Sequence, residues 1–311
     1  MRAAFGGGSL LLFIFLVVGI VFGFDISKHR INSAVVDKTE TAVSETGEKK
    51  EAGAKPTDAI HYKDRVAVLT YHNIDEKESP YTISPELFHQ HMQALKDNGY
   101  HVISVEDMIG FLQNKKPVPS NAVVITFDDG YKSVYTYAYP ELVKQGFTAT
   151  TFLIVHYQQS YNPSLPFLSW DQVKEMKKAG FSFYSHTYNL HDTMMGENGK
   201  MVQPLSNRIL VNKRLETETE YENRVRNDLF QAYTILGQEL GNKMDILCFP
   251  HGDYNQKVLD IGNKVGIHYF FSGYEGINTH STGAVLKRIN VGAPYVTADK
   301  VIQKLNYFEN H

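Results

Sequence analysis

Short apolar runs alternate with amphipathic segments along most of the chain, starting at Val66. The runs have apolar residues at consecutive positions, which is typical of strands buried on both faces of a parallel sheet. The predicted strands cover residues 66–71, 101–104, 122–127, 148–155, 181–186, 246–250, 268–273 and 286–291. This pattern predicts a parallel β-sheet covered by helices.

The first amphipathic segment illustrates the helices predicted between these strands. Ser84 is a favourable N-cap, Pro85 suits the first helical position, and Gly99 can end the helix. The apolar face of this helix is formed by Leu87, Phe88, His91, Met92 and Leu95. Similar helices are predicted near residues 105–115, 134–145, 170–179, 221–240, 255–265 and 297–306.

The repeated alternation predicts an α/β fold, specifically a distorted TIM-like (β/α)7-8 barrel rather than a doubly wound sheet. Residues 192–220 combine mixed charge with glycine and asparagine, and they are predicted to form a long loop over one face of the barrel. Long loops in compact domains are often functional.

A continuous apolar run precedes this domain. Residues 5–24 carry no charge over 20 positions, which is roughly enough to span a bilayer, and Arg2 lies ahead of them. A cleaved signal peptide is the alternative, although no small-x-small cleavage site follows the run. We therefore predict that residues 1–24 form a signal-anchor or transmembrane segment. Both interpretations export the rest of the chain.

The next stretch, residues 25–64, is rich in Lys, Glu, Thr, Ser, Ala and Gly and has few large apolar residues. Such a composition does not repay the entropy of ordering. It predicts a flexible extracellular linker that joins the membrane segment to a folded domain at residues 65–311. The expected location is the cell membrane, with one membrane pass and the domain outside, or the exterior if the apolar segment is cleaved.

Composition limits the chemistry of the domain. The 311 residues have a net charge of −3, without the excess of Lys and Arg that nucleic acid binding requires. Cys248 is the single cysteine, which excludes an intramolecular disulfide and a multi-cysteine zinc site. A metal would therefore be held by His and carboxylate side chains. The 12% aromatic fraction suits a core and also sugar stacking.

Two adjacent carboxylates, Asp128 and Asp129, directly follow the apolar strand 122–127 in the sequence T-F-D-D-G. The carboxyl ends of barrel strands carry the active site in such folds. Neighbouring carboxylates repel each other unless a cation or a shared proton offsets their charge. The alternative is an ordinary Asp-Gly turn.

A second motif, H-T-Y-N-L-H, places His186 and His191 after the strand 181–186. On a helix these residues would lie about 140° apart, so a strand followed by a turning loop suits a shared ion better. One carboxylate and two imidazoles with an open position form a site for zinc or a similar divalent cation. The alternative is that two of the 13 histidines are close by chance.

A third motif, Pro250-His251-Gly252, follows the strand 246–250. A Pro-x-Gly turn at a strand end can present backbone N–H groups to a developing oxyanion, and it can equally be a plain strand-to-helix turn.

Together these motifs resemble the NodB-homology polysaccharide deacetylases, carbohydrate esterase family 4, over roughly residues 66–295. The branch that acts on poly-β-1,6-N-acetylglucosamine is the most similar. The sequence Leu69-Thr70-Tyr71-His72, the six-residue H-T-Y-N-L-H in place of the commoner five-residue H-S-x-x-H, and the sequence L-S-W-D at 168–171 carry this likeness.

The resemblance implies a NodB homology fold and a role for each motif residue. Asp128 would be the general base, and Asp129, His186 and His191 would bind a divalent metal, with zinc first and cobalt, nickel or manganese as alternatives. The metal would activate water and polarise the acetyl carbonyl. Backbone N–H groups near His251, in the Pro250–Gly252 turn, would stabilise the oxyanion.

Three positions depart from the family pattern. His251 stands where Tyr is usual, and Cys248 stands where an Arg usually orients the catalytic Asp, so Arg288 is expected to take over that role. The usual C-terminal Leu-x-His, whose His is the general acid, is replaced by Ile-Asn-Val at 289–291. His72 is the candidate for the missing imidazole, or else a residue that only supports the site.

Tyr71 and Trp170 are expected to line the substrate groove, and the alternative for Trp170 is that it anchors the start of a helix. The function implied is removal of acetyl groups from N-acetylglucosamine units of an extracellular polysaccharide. Deacetylation of peptidoglycan or chitin oligomers, or glycan binding without catalysis, are the alternatives. The sequence does not identify protein partners.

Overall fold

The computed structural model describes residues 59–159, 165–243 and 246–309. The predicted membrane segment and residues 25–58 of the predicted linker lie outside the described residues. Within the described ranges, no helix is both long and apolar enough to cross a bilayer. The last residues of the predicted linker are packed on the domain: Tyr62 is buried, and its hydroxyl donates to the carbonyl of Ala122 over 2.9 Å.

The strands and helices occur largely where the apolar pattern predicts them. The strands are β1 (Val66–Tyr71), β2 (Asn73–Ile74), β3 (Thr82–Ile83), β4 (His101–Val102), β5 (Ala122–Phe127), β6 (Thr150–Leu153), β7 (Ser182–Ser185), β8 (Met194–Met195), β9 (Met201–Val202), β10 (Leu210–Val211), β11 (Arg214–Leu215), β12 (Ile246–Cys248), β13 (Tyr269–Phe271), β14 (Ile277–Asn278), β15 (Val285–Leu286) and β16 (Ile289–Asn290). The helices are α1 (Pro85–Asp97), α2 (Val105–Leu112), α3 (Tyr139–Gln145), α4 (Trp170–Lys178), α5 (Glu218–Leu240), α6 (Gln256–Lys264) and α7 (Ala298–Glu309).

The main sheet is a nearly closed barrel. Strands β1, β5, β6, β7, β12 and β13 pair in this order and in parallel, and β15 pairs with β13 at one end. Strand β16 follows β15 after a break at Lys287 and Arg288 and pairs in parallel with β1. The last predicted strand therefore joins the two ends of the sheet, and the predicted α/β barrel class is confirmed.

The side chains of β1 show how the core is divided. Ala67, Leu69 and Tyr71 belong to a cluster with apolar residues of α1, α4 and α7, so they face the helical layer. Val66 and Val68 belong to a second cluster, with inward residues of the other barrel strands and residues of α2. Alternate residues of a strand point to opposite faces, so both faces of β1 are buried.

Local sequence sets the ends of several helices. The Ser84 hydroxyl accepts from the N–H of Leu87 at the start of α1, as predicted. A reciprocal capping box at Thr217 and Glu220 starts α5 at Glu218, three residues before its predicted start.

Two predicted segments differ from the structure. The helix predicted at 134–145 begins with a π-helical stretch, Val134–Ala138, before α3. Pro140 lacks the N–H that would continue the α-helical ladder, which accounts for the wider turn before it. The loop predicted at 192–220 contains two short hairpins, β8–β9 and β10–β11.

His91 is a buried histidine of α1 whose charge state depends on the fold. Its Nε2 donates to the carbonyl of Val296 (2.8 Å), and its Nδ1 accepts from the Tyr71 hydroxyl (3.1 Å). Burial lowers the pKa of His91 from 6.5 to about 4, although the bond to Val296 opposes the shift. The folded protein therefore binds a proton here less readily than the unfolded chain does.

We expect the free energy of unfolding to fall as the pH drops below 6.5, because the unfolded chain then binds a proton at His91 and the folded protein does not. The loss should be complete below pH 4 and amount to roughly 3 kcal/mol. Denaturant unfolding of the full chain and of His91→Gln, in mild detergent at pH 7.5, 6, 5 and 4, measures this loss. The difference in free energy of unfolding between the two proteins should become smaller as the pH falls, because only the native chain contains His91. A difference that stays constant would contradict the assignment.

Candidate functional site

The predicted motifs meet at the carboxyl end of the barrel. Asp128 and Asp129 follow β5, His186 follows β7, and His251 lies in the turn after β12. They surround a cavity of about 360 Å³. The cavity is also lined by Thr70, His72, Tyr81, Tyr131, His191, Gly252, Ser272, Gly273, Arg288 and Asn290.

The three predicted metal ligands converge on one point. Asp129 Oδ1 lies 3.4 Å from His186 Nε2 and 3.2 Å from His191 Nε2. The three ligand atoms lie within 4.8 Å of one another. Although the two nitrogens are near, Asp129 Oδ1 is buried and has no well-aligned hydrogen bond to any residue that the structure describes. An oxygen and two nitrogens that approach without bonding to each other suit a cation between them, so these residues fit a divalent metal.

The surroundings of the histidines also suit metal binding. His186 Nδ1 lies 2.9 Å from the carbonyl of Cys248, which can only accept, so Nδ1 carries the hydrogen and Nε2 presents its lone pair to the centre. Burial lowers the pKa of His186 to about 4, against the opposing charges of Asp128 and Asp129, and keeps the ring neutral at physiological pH. His191 Nδ1 lies 3.5 Å from the exposed carboxylate of Asp192.

Asp128 faces a different set of partners. Its Oδ1 accepts from Arg288 Nη1 over 2.7 Å, and the Cys248 thiol lies 3.6 Å from the same oxygen. Its Oδ2 lies 3.8 Å from His72 Nε2. Burial opposes ionisation, but the charge of Arg288 and its hydrogen bond outweigh burial and hold the pKa of Asp128 well below its usual range.

Asp128, His186 and Cys248 form a second group with ligand atoms within 4.8 Å. The Arg288 guanidinium, itself buried, already neutralises Asp128. A cation at this second group would be repelled by Arg288, so the group around Asp129 is the better metal site.

His72 stands at the edge of the cavity. Its ring is one-fifth exposed, and its Nδ1 is buried without a hydrogen-bond partner among the described residues. The ring of Tyr81, itself 64% exposed, lies 5.5 Å from it. His72 is therefore within reach of both Asp128 and a ligand in the cavity.

Each of the three motif turns contains a residue in the left-handed region. Asp129 and Thr187 have φ of 72°, and His251 has φ of 56°. This conformation is costly for a β-branched residue such as Thr187 and concentrates at functional sites. A Cβ on Gly252 would lie 2.6 Å from the backbone nitrogen of Gly273, so only glycine fits there.

The structure places two predicted groove residues elsewhere. Tyr71 is fully buried in the layer between barrel and helices, where its hydroxyl bonds to His91, so the prediction that its side chain lines the groove is wrong. Trp170 is the first residue of α4 and packs against the same core cluster, away from the cavity. This position agrees with the alternative that it anchors the helix.

Several cavity residues were missed from the sequence. Tyr131 follows the T-F-D-D-G motif directly, and its position after Gly130 is the signal that could have identified it. Its ring stacks on Phe167, with centroids 5.2 Å apart. Tyr81, Ser272 and Asn290 lie in loops or short strands without a recognisable pattern.

Curated relatives carry names that agree with this site. The poly-beta-1,6-N-acetyl-D-glucosamine N-deacetylase of Escherichia coli (strain K12) is 25% identical over 227 residues, which cover 67% of this chain and 34% of that protein. This chain therefore spans about a third of the length of that relative. The protein of the same name from Staphylococcus aureus (strain MRSA252) is 24% identical over 235 residues, covering 70% of this chain and 75% of that protein.

The chain is also similar to a solved structure of a de-N-acetylase from Aggregatibacter actinomycetemcomitans, with a TM-score of 0.71 and 28% sequence identity. The match covers 78% of this chain and 100% of the de-N-acetylase chain. The polysaccharide deacetylase family matches residues 115–270, half of the chain. This range includes Asp128, Asp129, His186, His191 and His251, whereas His72 and Arg288 lie outside it. The chain belongs to the polysaccharide deacetylase family.

Proposed function

We propose that this protein hydrolyses the N-acetyl group of N-acetylglucosamine units in an extracellular polysaccharide of the poly-β-1,6-linked kind and releases acetate. The observation that carries the proposal is a buried carboxylate, Asp128, beside a separate Asp-His-His group on the wall of an open cavity. A glycan-binding module has no need of a base next to metal ligands. The names of the relatives support the substrate class.

Asp129, His186 and His191 would hold the metal, with zinc as the first candidate and cobalt, nickel or manganese as alternatives. When bound, a divalent cation lowers the pKa of water and polarises the acetyl carbonyl. This explains how the site works without a nucleophilic Ser or Cys.

Asp128 would be the general base. Arg288 occupies its Oδ1, so Oδ2 is the oxygen that takes a proton from water as the water oxygen bonds to the acetyl carbon. The Arg288 guanidinium fixes the orientation of the carboxylate and keeps it ionised.

His72 would be the general acid, because it lines the same cavity and its Nε2 lies 3.8 Å from Asp128 Oδ2. Breakage of the carbon–nitrogen bond needs a proton on the leaving nitrogen, and an imidazolium next to a carboxylate can supply it. In the turn after β12, the N–H groups of Gly252 and Asp253 bond to the carbonyls of Phe249 and Pro250. The N–H of His251 is therefore the candidate donor to the oxyanion.

The apolar run at residues 5–24 and the polar composition of residues 25–58 support a membrane anchor and an extracellular tether. A catalytic domain held in this way would reach polysaccharide at the cell surface.

The proposal is tested by incubating the full chain in mild detergent with β-1,6- and β-1,4-linked N-acetylglucosamine oligomers. Each glycan is offered after chelation alone and after chelation followed by zinc, cobalt, nickel or manganese, and released acetate is quantified. We expect acetate with the β-1,6 oligomers only after a metal is returned. No acetate with any glycan and metal would refute the enzyme, and release confined to β-1,4 oligomers would refute the substrate.

A further inference from the structure

Asp228 is a buried carboxylate that lies outside the cavity and contacts the loop between the two histidine ligands. It belongs to α5 and is 8% exposed. Its Oδ1 accepts from the backbone N–H of Tyr188 (2.9 Å), and its Oδ2 accepts from the N–H of Asn189 (2.8 Å). A single carboxylate therefore holds two consecutive residues of the loop.

The shape of the loop explains why an anion is needed there. Thr187 is in the left-handed region, and the following N–H groups of Tyr188 and Asn189 point to one side as a concave anion site. Two further hydrogen bonds of the loop join neutral groups. Leu190 N–H donates to the Thr187 hydroxyl, and the carbonyl of Tyr188 accepts from the N–H of His156.

The support for Asp228 is rigid. Helix α5 has 23 residues, begins with a capping box, and packs through Val225 and Leu229 on the same cluster that contains Leu190 of the loop. Burial raises the pKa of Asp228 to about 6, while the N–H groups of Tyr188 and Asn189 oppose this shift. At neutral pH the side chain is therefore ionised and accepts both bonds at full strength.

We propose that Asp228 is the positioning residue that sets the distance between His186 and His191, and thereby the affinity of the site for its metal. The inference rests on the proposed function for the identity of the ligands. His186 is fixed from the barrel side by the carbonyl of Cys248, whereas His191 is four residues beyond Thr187 and depends on the path of the loop. Asp228 fixes that path at its middle.

The experiment compares the full chain with Asp228→Asn and with Leu236→Ala, all in mild detergent. Asparagine keeps the size of the side chain but offers one acceptor and one donor, so one of the two N–H groups loses its partner. Leu236 is buried two turns further along α5, in the core cluster that contains Leu69 and Tyr71, and serves as a control for general destabilisation. Zinc affinity is measured by competition with a chromogenic chelator, and the melting temperature is measured without metal.

We expect Asp228→Asn to weaken zinc binding by roughly tenfold or more, the scale typical of the outer partners of metal sites. Leu236→Ala should lower the melting temperature and keep the zinc affinity of the native chain. Asp228→Asn with unchanged zinc affinity would overturn the inference, whatever its melting temperature. Zinc binding needs no glycan, so a chain that binds zinc but releases no acetate would refute the proposed function alone.

Discussion

Replacement of Asp128 by Asn should lower the rate of acetate release by roughly 10²- to 10⁴-fold, the contribution expected of a general base. The asparagine oxygen can still accept from Arg288, but the amide takes up no proton from water at neutral pH. Steady-state kinetics with the metal-loaded chain and a β-1,6-linked oligomer measure the effect. We expect the loss in kcat, because the substituted group acts on the reacting atoms.

Zinc binding by the Asp128→Asn variant shows whether Asp128 is a base or a metal ligand. Asp128→Asn should bind zinc as the native chain does, because Asp129, His186 and His191 are intact. Acetate release within tenfold of the native rate would show that Asp128 is not the base. A loss of zinc together with activity would instead place Asp128 among the ligands.

Replacement of His191 by Ala should remove the metal from the chain and abolish acetate release. This ring lies 3.2 Å from Asp129 Oδ1, and its loss leaves one carboxylate and one imidazole, too few for a stable catalytic site. The fall in zinc affinity should exceed the roughly 10- to 100-fold that outer partners of metal sites cost. Metal content after dialysis and chelator competition measure it.

The matched control for this prediction is His101→Ala. His101 is an exposed histidine at the start of β4, and its Nδ1 bonds to the carbonyl of Ser120. We expect this variant to keep its zinc and its activity. If His191→Ala retained zinc at the native affinity, the proposed ligand group would be wrong.

The strand ends were predictable because each combines an apolar run with polar residues directly after it. This signal located Asp128, Asp129, His186, His191 and His251, and the structure brings all of them to one cavity. The two histidines alone left open whether they were close by chance, and only the fold places both beside Asp129.

The wrong placement of Tyr71 was avoidable. Residues of a strand alternate between its faces, so Thr70 and His72 at the cavity put Tyr71 on the opposite, helix-covered side. The L-T-Y-H sequence resembles a family motif, and the prediction assigned Tyr71 to the groove on that basis. In a strand only alternate residues of such a motif can face the cavity.

The contacts of Arg288 and Asp228 could not be predicted from local sequence patterns. Arg288 lies 160 positions from Asp128, and Asp228 lies 40 positions from Tyr188. Departure from the family pattern at Cys248 indicated that a cation was missing, which made Arg288 a candidate, but no comparable gap in the sequence indicated Asp228. The sequence predicts the segment 221–240 as one more amphipathic helix, and its pattern does not indicate that Asp228 bonds to a loop.

The break between β15 and β16 places the partner of Asp128 late in the order of synthesis. Arg288 lies at this break, and the strands on either side of it join the two ends of the barrel. A growing chain that has already made β5, β7 and β12 contains Asp129, His186 and His191, the proposed metal ligands, but still lacks Arg288, the cation that bonds to Asp128. Arg288 follows β15 in the chain and directly precedes β16, the strand that closes the sheet, so the proposed metal ligands are all synthesised before the counter-charge of Asp128.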